Sequence, residues 1–274
     1  MKRTCNTCSS KDITLFKKTG KYQVLKCRNC SNCYIYPFPS KNDIMKLYME
    51  DEVNNAEYYS KTEILDKKTF EKRIKLIQEI THLKKGRILD YGCSTGNFLE
   101  VARKHKYSVI GKELNKKSIS ICRKKRLDVR SSITEKDFDL IHAGDILEHM
   151  QYPKKFVKEL GTHLKKDGFL VMATPDFTNF ITRMTQIKPK EHLFYFTPKG
   201  LKYLLENNGF EIIYLKGCKR YRSVETLLSG STSENKYVRF ILKLTQRLGL
   251  EKLFNWYISN MEDDMLVIAK KIGN

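Results

Sequence analysis

Four cysteines stand in two short pairs, Cys5-x-x-Cys8 and Cys27-x-x-Cys30. Each pair can form a tight knuckle, and four thiolates complete a tetrahedral zinc site with no position left for a substrate. Such a site is structural. Cys33 leaves a second register open, with Cys30-x-x-Cys33 as the other possible knuckle. Disulfides and a redox pair are the competing uses. A reducing compartment disfavours the first, and the second needs only one pair.

Residues 87–98 offer a different chemistry. In Arg-Ile-Leu-Asp-Tyr-Gly-Cys-Ser-Thr-Gly-Asn-Phe, Asp90 tips a short apolar run, and two glycines follow before a helical pattern. That reads as a buried strand breaking into a helix through a tight turn. Gly92 and Gly96 allow positive φ and close approach of a ligand. The helix starting near Asn97 points free N–H groups into the turn. An adenine cofactor at the carboxyl end of a parallel sheet fits there. The dinucleotide pattern Gly-x-Gly-x-x-Gly is absent, because Ser94 and Asn97 take two of its glycine positions. Glu113 ends the next apolar run, about 20 residues on, where a carboxylate can accept both ribose hydroxyls. The candidate cofactor residues of this part are Asp90, Tyr91, Gly92, Cys93, Ser94, Gly96, Asn97, Phe98, Glu113 and Leu114.

The acid before the glycine turn and the acid ending the second strand together resemble a class I S-adenosylmethionine (SAM)-dependent methyltransferase. The resemblance continues through Phe138-Asp139-Leu140-Ile141, Gly144-Asp145-Ile146-Leu147-Glu148-His149-Met150 and Leu164-Lys165-Lys166-Asp167-Gly168. It reaches Thr174-Pro175-Asp176, Glu191-His192-Leu193-Phe194-Tyr195-Phe196-Thr197 and Asn208-Gly209-Phe210, and covers roughly residues 86–216. It implies an α/β fold with a seven-stranded Rossmann-like sheet, SAM as cofactor, and Ser131, Asp145 and Ile146 as further cofactor contacts. The family usually has glycine where this chain has Ser94. A serine adds a Cβ near the cofactor's methionine portion, and its hydroxyl becomes available as a ligand.

With the cysteine pairs in front, the chain is similar to zinc-ribbon-headed methyltransferases that include sugar C-methyltransferases and lie near quinone O-methyltransferases. Cys27 and Cys30 are preferred over the later register because Pro37 then falls where that subfamily has it. The resemblance implies transfer of a methyl group to the O, N or C of a small molecule, a nucleotide-linked sugar or a cell-envelope glycan precursor first among them. The sulfonium carries its own driving force, so the protein mainly orients and excludes water. An oxygen or carbon nucleophile also needs a base, and His149 and His192 are the candidates on the cleft rim. Each has a structural alternative as a hydrogen-bonded anchor of its loop. Glu148 reads as an orienting group rather than a base. Tyr58 and Tyr59 either line the acceptor pocket or are core aromatics. An RNA methyltransferase reading nucleic acid with its ribbon is the alternative function, and a non-catalytic SAM-fold scaffold a third. No Asp/Asn-Pro-Pro-aromatic motif follows the fourth strand, which disfavours the former. Intact Asp90, Gly92, Gly96 and Glu113 disfavour the latter.

These residues must be positioned by three parts: a ribbon at 1–38, a helical linker and cap at 39–85, and a catalytic domain at 86–274. In the ribbon, residues 13–16 and 22–25 alternate like a hairpin around Thr19-Gly20-Lys21. Ser40 reads as a helix N-cap, and an amphipathic helix is expected from about Lys61 to Leu83. Strands are expected near 86–90, 107–112, 127–130, 138–142, 168–174 and 211–216, with a seventh at 265–269 inserted antiparallel beside the sixth. Residues 217–262 break the alternation as a helical insertion. There Val238, Ile241, Leu242, Leu248, Leu253 and Trp256 are apolar with basic residues opposite. Such a face packs on the domain or on a partner subunit, or lies on a membrane.

The 274 residues are 41% hydrophobic and 30% charged, which fits a globular chain of one or two domains. The net charge of +21 is spread over scattered lysines rather than an arginine-rich arm. An anionic small molecule is the expected partner, and nucleic acid the less expected one. The N-terminus leads into no apolar run and no stretch is long enough to span a bilayer, so a cytoplasmic protein with reduced or metal-bound cysteines is expected. Monomer and homodimer are both open.

Overall fold

The computed structural model describes residues 4–229 and 236–273, apart from the side chains of residues 41, 44–61, 226, 229 and 236–238. Tyr58, Tyr59 and Val238 are among the side chains outside that description.

The cysteine-bearing end is a hairpin of β1 (Ile13–Thr19) and β2 (Tyr22–Cys27), followed by β3 (Cys33–Tyr36). The helix α1 (Lys41–Thr81) then runs without a break, where two shorter pieces are expected from the sequence. Its start is a reciprocal cap. Ser40 Oγ accepts from the Asp43 N–H at 3.1 Å, and Asp43 Oδ2 accepts from the Ser40 N–H at 3.2 Å. Near its other end Ile74 and Ile77, three apart and fully buried, pack with Ile88, Phe98 and Leu140. That contact lays the helix across one face of the main sheet.

The catalytic part alternates: β4 (Arg87–Tyr91), α2 (Asn97–Lys104), β5 (Ser108–Lys112), α3 (Lys116–Lys124), β6 (Val129–Arg130) and β7 (Phe138–Gly144). After a 3₁₀ turn at Leu147–His149 come α4 (Pro153–His163) and β8 (Leu164–Pro175). They are followed by α5 (Phe180–Thr185), β9 (Phe194–Tyr195), α6 (Pro198–Glu206) and β10 (Phe210–Cys218). The insertion holds α7 (Val224–Ser229), α8 (Lys236–Arg247) and α9 (Glu251–Ser259), and β11 (Asp264–Lys271) ends the chain. The seven-stranded sheet has the order β10-β11-β8-β7-β4-β5-β6. Its strands from β8 to β6 pair in parallel, while β11 is antiparallel to both β8 and β10. All seven expected strands are present. The order reverses beside β4, which opens a crevice at the carboxyl ends of β4 and β7.

The ribbon does more than precede this domain. A second sheet has the order β1-β2-β3-β9, so Cys33 and Tyr34 pair with Tyr195 and Phe194 of the catalytic half. The Ile35 N–H adds a bond to the Leu193 carbonyl at 3.0 Å. One apolar core runs from Cys5 and Val24 through Phe194 and Phe196 to Leu204.

Candidate active site

The turn after β4 has the backbone that its glycines predict. Gly92 and Gly96 have φ of +81° and +80°, and a Cβ on either would meet a neighbour at 2.9 Å (Ile146 Cδ1) or 2.4 Å (Leu127 Cδ1). Ser94 shares the left-handed region at φ 47°, an uncommon one for a residue with a Cβ. Its Oγ and the Thr95 Oγ1 are buried without a hydrogen-bond partner. Two orphaned hydroxyls in a cradle at a helix start fit a cofactor there. Glu113 stands across the turn. Its Oε2 accepts from the Ser94 N–H at 2.9 Å, and its Oε1 from the N–H groups of Leu114 and Asn115 at 2.7 and 2.9 Å. The carboxylate is thereby locked in place beside the turn, with lone pairs still free.

Several candidates turn their side chains to other partners within the fold. Asp90 is buried, and its Oδ1 accepts from His142 Nδ1 at 2.7 Å. Parallel register makes Asp90 and His142 direct partners across β4 and β7, and both side chains are buried. The chain continues to Arg73, whose Nη1 donates to His142 Nε2 at 2.9 Å. Burial lowers the His142 pKa, and its two partners fix the neutral tautomer. Phe98 stacks on the same imidazole at 3.8 Å between centroids, so its ring is part of the core. Cys93 is buried beneath the turn, where a Cβ on Gly111 would come within 2.5 Å of its sulfur. Tyr91 points to the opposite side and donates to Glu159 of α4 at 2.8 Å. Asn97 accepts from Lys125 at 3.1 Å. Strand alternation and helix periodicity account for these different directions, because neighbouring residues cannot all face one crevice. Leu114 and Ser131 are exposed at the sheet's rim.

Sequence reasoning missed His142 and Arg73. The histidine lies inside an apolar run and the arginine inside a charged helix, so neither shows a local signal. Arg73 lies at the crevice floor, 3.2 Å from where a Cβ on Gly144 would be.

The other side of the crevice collects distant segments. Asp145, at φ 54°, follows β7 and is gripped through both oxygens by Arg220 Nη2, from residues 219–223 after β10. Burial opposes its ionisation, but Arg220 outweighs burial and holds the carboxyl below its usual range. Arg220 Nε also meets Asp264 at 3.1 Å, and Arg222 meets Asp263 at 2.6 Å. Glu148 accepts from the Thr174 hydroxyl at 2.9 Å. Burial, and then Asp145, push its pKa up to about 8, so it holds a proton at neutral pH and cannot act as a base there. His149 and His192 form an edge-to-face pair at 5.0 Å. Each donates its Nδ1–H to a carbonyl, His149 to Glu191 at 2.8 Å and His192 to Gln186 at 3.1 Å. Both Nε2 lone pairs are therefore free, and burial lowers both pKa values, keeping the rings neutral. Glu148, Thr174, Phe177, His192, Phe194 and Tyr195 line one pocket.

The ribbon supports this side. Asn32 is fully buried, and its Oδ1 accepts from the Thr197 N–H at 3.0 Å while its Nδ2 donates to Thr7 Oγ1 at 3.4 Å. Gly200 leaves the room, since a Cβ there would lie 1.8 Å from the Asn32 Oδ1. The sulfur atoms of Cys5, Cys8, Cys27 and Cys30 all lie within 4.8 Å of one another, with Cys5–Cys30 at 3.7 Å and Cys8–Cys27 at 3.5 Å. Zn–S bonds of about 2.3 Å make tetrahedral S–S edges of about 3.8 Å, so this donor set fits zinc. Cys33 stands outside the cluster, buried at the start of β3.

A seven-stranded sheet of this order, with a glycine turn after its first strand and an acid after its second, defines the class I methyltransferase fold. A sequence profile for the methyltransferase domain matches residues 65–215, more than half of the chain. The chain belongs to that family and is a methyltransferase. It is 29% identical over 140 residues to a ubiquinone biosynthesis O-methyltransferase of Coxiella burnetii, a match spanning 47% of this chain and 59% of that protein. The fold is shared with a SAM-dependent methyltransferase from Archaeoglobus fulgidus (TM-score 0.52, 23% identity, 78% of this chain and 99% of that one). It is also shared with a SAM-dependent methyltransferase from Thermotoga maritima described as a possible histamine N-methyltransferase (TM-score 0.55, 18% identity, 84% and 100%).

Proposed function

We propose that the protein methylates a hydroxyl of a small molecule with SAM as donor, and that His192 takes the proton, with His149 as its partner or substitute. The observation that carries this reading is the histidine pair. His192 is buried and His149 half-buried, both rings are neutral, and backbone carbonyls fix both so that Nε2 is the accepting nitrogen. A base needs that state before the methyl arrives. Bound SAM supplies an electrophilic methyl on sulfur. Glu113 would hold its ribose, the N–H groups and hydroxyls of residues 94–96 its methionine end, and the buried Arg73 its carboxylate. Asp145 reaches the cofactor by sharing its carboxylate with Arg220. Phe177, Phe194 and Tyr195 beside His192 would shield the nucleophile from water.

A nucleotide-linked sugar or cell-envelope glycan precursor is the acceptor class favoured by the ribbon-headed architecture. A ring hydroxyl is the second, favoured by the O-methyltransferase relative. A structural zinc at Cys5, Cys8, Cys27 and Cys30 completes the reading. Incubating the protein with SAM and each acceptor class, then reading products by mass spectrometry, tests it. A methylated sugar nucleotide selects the first class and a methylated phenolic ring the second. SAM binding without turnover on any hydroxyl acceptor would overturn the O-methylation reading.

A further inference from the structure

The insertion between β10 and β11 leaves a large apolar surface uncovered. On α8, Leu242 and Thr245 are buried, while Phe240, Ile241, Leu244 and, just past its end, Leu248 are exposed. At 3.6 residues per turn those four fall within an arc of about 100°. The cations Arg239, Lys243 and Arg247 occupy the adjoining arc of about 80°. Gly249, at φ +66°, turns the chain into α9. There Leu253, Trp256 and Tyr257 are exposed and Lys252 flanks them. Among the described residues, none of these four cations forms an ion pair. A second exposed pair, Phe180 and Met184, lies one helical turn apart on α5. That helix is tied to the end of the insertion by Thr182, which donates to the Asp263 carbonyl at 2.9 Å.

We infer that α8 and α9 form a docking surface for an anionic lipid bilayer. An apolar stripe edged by unpaired cations is how a helix lies in a lipid interface. A nucleic acid would have no use for the exposed leucines, phenylalanine and tryptophan. A second copy of this chain would bring its own cations against these, at a net charge of +21 each. No described helix is long and apolar enough to cross a membrane, so contact would be peripheral. The insertion is also fastened to the crevice. Ser259 Oγ donates to the Arg222 carbonyl at 2.9 Å, and Asn255 Oδ1 accepts from the Val224 N–H at 2.7 Å. Docking therefore sets residues 219–223, and Arg220 on Asp145, next to the lipid surface. The inference stands apart from the reaction, because vesicle binding is read without turnover.

The test is sedimentation of the full chain with vesicles of phosphatidylcholine alone and of phosphatidylcholine mixed with phosphatidylglycerol. Trp256 is the single tryptophan and 66% exposed, so its emission reports the surface directly. Co-sedimentation with the anionic vesicles only, weakened by salt, with a blue shift of Trp256 emission, is the expected result. Lys243→Glu with Arg247→Glu should lower partitioning at least about tenfold. Leu248→Asp with Leu253→Asp should remove the blue shift. All four positions are exposed, and an unchanged melting temperature will show that the fold persists. No binding to anionic vesicles, with Trp256 emission unmoved, would overturn the inference. A concentration-dependent dimer whose Trp256 is already blue-shifted without lipid would also overturn it, by showing a second copy on this face.

Discussion

The two sides of the crevice are assembled over different ranges of chain. The side proposed for the cofactor comes from residues 90–115, as a strand, a turn, a helix and the tip of the next strand, held together by Glu113 and backbone N–H groups. The side proposed for the acceptor comes from residues 145–149, 174–177, 186–197 and 219–222, with Asn32 of the ribbon bonded to Thr197 beneath it. A site built locally is carried by backbone conformation and survives changes elsewhere. A site built from remote pieces depends on every piece that holds it. If this contrast is right, damage to the acceptor side should lower turnover and spare cofactor affinity, and damage to the turn should do the reverse.

The largest effect is expected at His192. Positioned general bases contribute roughly 10²–10⁴-fold, so His192→Ala should lower kcat by about that factor while SAM affinity stays near wild type. His149→Ala belongs beside it, because its ring packs edge-to-face on His192. Full turnover by both variants would remove the histidines from the chemistry and leave proximity or another group to explain it. Next comes the cofactor side. Glu113→Ala removes an ionised acceptor, and SAM affinity should fall by about 1.5–3 kcal/mol, roughly 10–150-fold. Calorimetry showing unchanged affinity would place the ribose elsewhere.

How much of this was legible in the sequence follows the same division. Turn, strand and acid between Asp90 and Glu113 could be read because each constraint acts within a few residues. The seven strands could be read for the same reason. Which side chains enter the crevice could not. Asp90 and Phe98 turn inward because His142 waits across the sheet, and no local pattern announces that histidine. The pairing of β3 with two residues of β9 was equally hidden, since Phe194 and Tyr195 read only as aromatics in a loop. The exposed face of α8 was legible as an amphipathic stripe, but not as one that remains uncovered.

The ribbon sharpens the contrast further. Cys27→Ser should abolish the metal and loosen β3, which pairs with β9 just beyond His192. We expect kcat to drop about tenfold, the lower end of what a mispositioned base costs, with SAM affinity within a few-fold of wild type. Equal losses in both would show that the ribbon stabilises the whole domain rather than the acceptor side.

The smallest effect is expected at Cys33, and it bears on which sulfurs make the knuckle. Two registers are possible on paper, Cys27 with Cys30 or Cys30 with Cys33. In the fold, Cys33 begins β3, pairs with Lys26 of β2 on one side and Tyr195 of β9 on the other, and stands outside the group of four sulfurs. A strand held in register on both edges cannot bend into a knuckle without breaking both pairings. Cys33→Ser should therefore keep one zinc per chain and near-normal turnover, with a stability loss of about 1 kcal/mol for placing a hydroxyl in a buried sulfur's position. Metal analysis of Cys33→Ser and Cys27→Ser side by side decides it. Zinc lost in the first and kept in the second would reverse the register, and would mean that the pairing of β3 with β9 gives way when the metal binds.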